Sequence, residues 1–132
     1  RGGHLTDYTF GTTTTGDFED VVDKVTSALA AEGFGVLTTI DVAATLKAKL
    51  DADMAPYRIL GACNPPLAHQ AISSEPQIGA LLPCNVVVRQ LEDGVAVDFM
   101  DPGAVLTLVE KDGIETIAAE VSARLHRVAA AI

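Results

Sequence analysis

The run Glu92-Asp93-Gly94 stands between two apolar, β-branched stretches, residues 81–91 and 95–100, and constrains the fold more than any other feature of the chain. An Asp-Gly step readily supplies the positive φ angles of a tight turn, so the two stretches are predicted to pair as an antiparallel hairpin. A regular series of parallel β-α-β units does not accommodate such a pair, and the other elements must be arranged around it.

Those elements can be read in order. Residues 7–15 are rich in Thr, with Tyr8 and Phe10 alternating, and suit a strand that ends at Gly16. From Asp17 onward, Phe18, Val21, Val22, Val25 and Leu29 recur at helical spacing, with Asp17 as cap and Gly33 as stop. Residues 34–40 are again short and β-branched. Asp41 can then cap a helix carrying Val42, Leu46 and Leu50 on one side, in a region closed by Pro56. Residues 57–63 read as a third strand. Asn64 caps the next helix, with Pro65 at the first helical position, where a missing N–H costs nothing, and Pro76 ends it. After the hairpin, Asp101-Pro102-Gly103 breaks the strand. Asp112 is expected to cap a last helix with Ile114, Ile117, Val121, Leu125, Val128 and Ile132 on one stripe.

The pattern predicts an α+β fold in two layers, a largely antiparallel sheet of about five strands with amphipathic helices packed on one face. A single domain over residues 7–132 is expected, with residues 1–6 a disordered terminus or a cloning remnant. A doubly wound nucleotide fold is disfavoured, because Gly33-Phe34-Gly35, the nearest glycine pair, enters a strand instead of opening a helix.

Charge narrows the partners. Nine Lys and Arg stand against 18 Asp and Glu, a formal charge of -9, which repels phosphate backbones and anionic headgroups. Nucleic acid and membrane surfaces are therefore not expected as partners. No apolar stretch approaches the roughly 20 residues needed to cross a bilayer, and RGGHLTDY lacks the apolar run of a secretory signal, so a cytoplasmic location is expected. With 48% hydrophobic residues, the chain has enough apolar surface to form a core.

The candidate site lies where a dipeptide is repeated. Both cysteines are followed by Asn and lie next to proline, in Cys63-Asn64-Pro65 and Pro83-Cys84-Asn85. If the strands ending at Cys63 and starting at Cys84 are antiparallel neighbours, the intervening helix returns the chain to the same sheet edge and the two thiols can come close. Three uses of that proximity stay open, a dithiol couple, a soft metal held by two thiolates and haem held by an axial thiolate, and against them stands cysteine acting as a small core hydrophobe. His69 is the nearby imidazole that would complete a metal set of Cys63, Cys84 and His69. It points away from the apolar stripe of its helix, which favours a solvated side chain. Asn64 has a ready role as a cap. Asn85 opens a valine-rich strand and, if buried, would need a partner in Asn64 or a bound ligand. Asp98 and Asp101 could be imagined as an acid/base pair, but a strand-face carboxylate and a turn-starting Asp explain them more simply. G-x-S-x-G, H-E-x-x-H and P-loop motifs are absent from the sequence.

The succession GFGVLTTIDV, YRILGACNPPLAHQAI and IGALLPCNVVV, followed by the Asp-Gly hairpin and the Asp101-Pro102 step, resembles the prokaryotic family of domains of unknown function numbered 302. The likeness runs from about Tyr8 to Val128, with Cys63, Asn64, Pro65, Pro83, Cys84 and Asn85 as its matched motif residues. It implies a compact α+β domain that pairs as a homodimer, and it implies no reaction. Together these readings give a non-catalytic module binding a small ligand, a soft metal or haem near Cys63, Asn64, Cys84 and Asn85. A thiol-redox protein and a structural homodimeric domain are the alternatives.

Overall fold

A computed structural model describes residues 6–132. The reading of residues 1–6 falls outside it except for Thr6, whose exposed hydroxyl is hydrogen-bonded to that of Thr9. The elements follow as β1 (Thr9–Thr14), α1 (Phe18–Ala31), β2 (Gly35–Asp41), α2 (Val42–Leu50), β3 (Tyr57–Cys63), α3 (Pro65–Ser74), a 3₁₀ segment (Pro76–Leu81), β4 (Cys84–Leu91), β5 (Gly94–Met100), α4 (Pro102–Val105), a 3₁₀ turn (Leu106–Leu108) and α5 (Ile114–Ala130).

The five strands form one sheet in the order β1-β5-β4-β3-β2, and every neighbouring pair is antiparallel. β1 and β2 are consecutive in the chain yet occupy opposite edges, so α1 carries the chain across the whole sheet. Its start is fixed by Asp17, whose carboxylate accepts from the backbone N–H of Glu19 at 3.1 Å and of Asp20 at 3.3 Å. Val25 and Leu29 from α1, Val86, Val88, Val97 and Phe99 from the sheet, and Leu125 and Val128 from α5 form the centre of one buried cluster. Each such side chain contributes about 1.5–3 kcal/mol by leaving water. Arg58 of β3 reinforces this layer with two hydrogen bonds to Glu19 of α1, at 3.0 and 2.7 Å. A smaller cluster of Ala71, Ile78, Leu106, Ile114 and Ala118 joins α3, the 3₁₀ segments and the first half of α5.

Three local expectations are corrected. The hairpin forms, but its loop is Glu92-Asp93, and Gly94 already pairs with Leu91. Gly94 is needed for close approach instead, since a Cβ there would lie 2.9 Å from the Thr14 carbonyl oxygen of β1. Gly113 in the left-handed conformation, not Asp112, stands at the start of α5. Residues 81–83, read as the opening of a strand, are instead the end of the 3₁₀ segment and a loop with a cis Leu82-Pro83 bond, and β4 begins at Cys84.

Candidate functional site

β3 ends and β4 begins at the same end of the sheet. The ladder sets Ala62 opposite Cys84 and Gly61 opposite Asn85, while on the other side of β3 Gly35 is opposite Cys63. The predicted meeting of the two strands across a short helix is therefore present. Asn64 caps that helix, its Oδ1 accepting from the Leu67 N–H at 3.2 Å, with prolines in the first turn. Asn64 is only 7% exposed, and its amide nitrogen lies against Gly33.

A pocket of about 320 Å³ opens here. α3 supplies Leu67, Ala68, Ala71 and Ile72 to its wall, α5 supplies Ile117 and Val121, and Phe34 and Leu106 come from the segments preceding β2 and following α4. Cys63, Asn64, Pro83 and Cys84 belong to the same wall. β2 contributes Leu37 and Thr38 through an irregularity. Val36 pairs with Ala62 and Thr38 with Gly61, so Leu37 is an extra residue without an opposite and bulges outward. Gly61 permits this, because a Cβ there would overlap Thr38 Oγ1 and lie 2.9 Å from Pro83 Cγ.

The electrostatics follow from the lining, which among the described residues contains no charged side chain. Burial, with the neighbouring Cys63 as a smaller cause, pushes the Cys84 thiol up to about 11. It is therefore protonated at neutral pH and a poor nucleophile or metal ligand there. Cys63 is half-buried, and both thiols are unpaired. Ala62, not Cys63, lies opposite Cys84, so the two cysteines are offset by one residue across the ladder while both border the pocket. The chemistry open to such a wall is the burial of an apolar molecule; its described residues offer no carboxylate or imidazole for proton transfer.

The sequence candidates divide accordingly. Cys63, Asn64 and Cys84 meet at the pocket, whereas Asn85 is exposed and His69 faces solvent from α3, both outside its lining. Among the described residues no group of three or more His, Cys, Asp and Glu side chains is placed to hold a metal ion. Asp98 is ion-paired with Arg89 at 2.7 Å, and Asp101 accepts from the Gly103 N–H at 3.0 Å, so each has the structural role expected of it. Phe34, Leu37, Thr38, Leu106, Ile117 and Val121 were not legible as site residues, because each reads as ordinary core or strand filler in its own segment. A stack of His126 on Phe10, with centroids 3.8 Å apart, and of Phe10 on Phe99 at 5.3 Å also had no signal in the sequence. A wider groove of about 740 Å³ between α4 and α5 is bordered by Glu110, Lys111, Asp112 and Glu115 and includes none of the candidates.

No curated protein matches the chain in sequence. Among solved structures, the crystal structure of the uncharacterized conserved protein DUF302 from Bacillus stearothermophilus is similar with a TM-score of 0.88 over 96% of this chain and 98% of that one. At 24% identity this likeness carries the fold alone. The pattern of the family "Domain of unknown function DUF302" matches residues 10–132, nearly the whole sheet and all of its helices. The chain belongs to this family, DUF302.

Proposed function

We propose that residues 7–132 act as one non-catalytic binding domain whose pocket beside Cys63, Asn64 and Cys84 receives a small ligand. The observation that carries this reading is a concave, apolar space of about 320 Å³ at the end of the sheet, within the usual range for small-molecule sites. A soft metal or haem has less support as the occupant. His69 lies outside the lining, and the Cys84 thiol keeps its proton. Binding of N-phenyl-1-naphthylamine, a neutral fluorophore that brightens in apolar surroundings, tests the reading. The native protein should enhance its emission saturably, and Ala68→Phe, which fills the pocket from α3, should abolish the enhancement while leaving the far-UV spectrum unchanged. Equal enhancement by both proteins would place the probe elsewhere and remove the support.

The thiol-redox reading keeps one favourable observation, that both cysteines border the same pocket. Against it stands their offset across the ladder, which differs from the directly opposed geometry of a cross-strand pair. Mild oxidation by a small disulfide, followed by intact-mass analysis, separates the cases. Loss of two hydrogens without an adduct would favour the couple.

The assembly we propose is a homodimer. Its support is an apolar row on the sheet face turned away from α1 and α5, where Ile40 pairs with Ile59 and Ile59 with Val87. None of the described helices is long and apolar enough to cross a membrane. The cytoplasm is the compartment proposed, on the two unpaired thiols, which persist in reducing surroundings. Fractionation of native cells would check it.

A further inference from the structure

We infer that the ligand is an uncharged, predominantly apolar molecule clasped at the pocket mouth between Leu37 of the β2 bulge and Ile72 of α3. This rests on the small-ligand reading above and names the chemical class that the site accepts.

Two independent observations lead there. The first is the mouth. Leu37 is 67% exposed and Ile72 43% exposed, although both belong to the pocket wall. Large apolar side chains left in water at the rim of an apolar cavity gain most when a ligand covers them. Leu37 reaches this position only because the ladder slips between Val36 and Thr38, so the bulge aims a side chain at the site. The other strongly exposed large hydrophobics, among them Tyr8, Leu50 and Leu108, do not contribute to the pocket.

The second observation is that no described residue brings a compensating charge to the lining. Among the described residues the polar side chains there are those of Thr38 and Asn64 and the two thiols, and Asn64 Oδ1 already accepts from the Leu67 N–H. A carboxylate or ammonium entering this wall would lose hydration without gaining a counter-ion. The upward shift of the Cys84 thiol reports the same penalty, since one side of this wall already disfavours a buried anion. A net charge of -9 adds long-range repulsion for anions, though it leaves cations to be rejected by the lining alone.

Displacement of N-phenyl-1-naphthylamine by three compounds of matched shape tests the inference at neutral pH: 1-naphthol, 1-naphthoate and 1-naphthylmethylammonium. Naphthol should displace the probe, and both charged compounds should require about a hundredfold more. Leu37→Ala should weaken naphthol about tenfold with no change in melting temperature, because Leu37 is solvent-exposed in the free protein. Displacement by naphthoate or the ammonium compound at the naphthol concentration would overturn the charge discrimination. Unchanged naphthol affinity in Leu37→Ala would overturn the clasp. Failure of the fluorophore itself to bind in an Ala68-sensitive way would bring down the small-ligand reading and this inference with it, an outcome distinct from the other two.

Discussion

Cys84 opens β4 against Ala62 and is only 7% exposed, so ionising its thiol means creating a charge within the core cluster. Its proton is held to about 11, against an ordinary value of 9.0. A raised value means that the folded chain binds more protons than the unfolded chain between these limits. The corresponding stability is fully present below pH 9 and is lost as pH rises towards 11, on the order of 2 kcal/mol in all. Urea unfolding of native protein and of Cys84→Ala across this window should give a smaller alkaline decline in the variant, whatever its baseline stability. Parallel declines would show that Cys84 does not carry the effect. The two Cys-Asn steps also show what a residue pattern can and cannot reveal. The role of Asn64 was legible because a cap acts over three residues and is followed by Pro65-Pro66. The fate of Asn85 depends on the pleat: its neighbours Cys84 and Val86 point into the core, so Asn85 points out and needs no buried partner.

At the scale of elements, the starts of α1, α2 and α3 were readable for the same reason, since Asp17, Asp41 and Asn64 each accept a hydrogen bond from the first turn. The apolar spacing of α2 was less informative. Val42, Leu46 and Leu50 share a side in the sequence, yet no residue of α2 is buried, and this connection between edge strand β2 and β3 adds no residue to either buried cluster. The bulge in β2 had no signal at all, because it is a relation between Leu37 and a partner strand that lies 20 or more residues further along the chain. Gly61 is the residue on which that relation can be tested. Its bare backbone accommodates both Thr38 and Pro83, so Gly61→Ala must push the bulge or the Pro83 loop outward. The expected cost is about 1–3 kcal/mol by chemical denaturation, accompanied by weaker binding of N-phenyl-1-naphthylamine. Retained stability and binding together would mean that this close packing does not set the pocket's shape.

Across the whole molecule, the antiparallel character was legible from one hairpin, whereas the strand order was not. β1 and β2 lie at opposite edges because α1 spans the sheet, a long-range choice that local periodicity does not encode. The pocket was hidden for a related reason, as its wall joins Phe34, Leu106 and Val121, residues far apart in sequence and identical in character to core filler. The sheet's second face follows from the same topology. With α1 and α5 both on one side, Ile40, Ile59 and Val87 form a continuous row on the other, and Ile40 remains 48% exposed. Beyond Val87 the row meets Asp98, which is paired with Arg89, so the apolar strip has a polar border. Two copies each carrying -9 repel at long range, and an apolar strip gives them a contact that salt strengthens by screening that repulsion. Sedimentation equilibrium should therefore find a two-chain species whose association tightens with added salt. Ile59→Lys, which places a charge at the centre of the row, should shift it to a single-chain species with an unchanged far-UV spectrum. A dimer that survives Ile59→Lys would assign pairing to another surface, with the outer strands β1 and β2 the next to be tested.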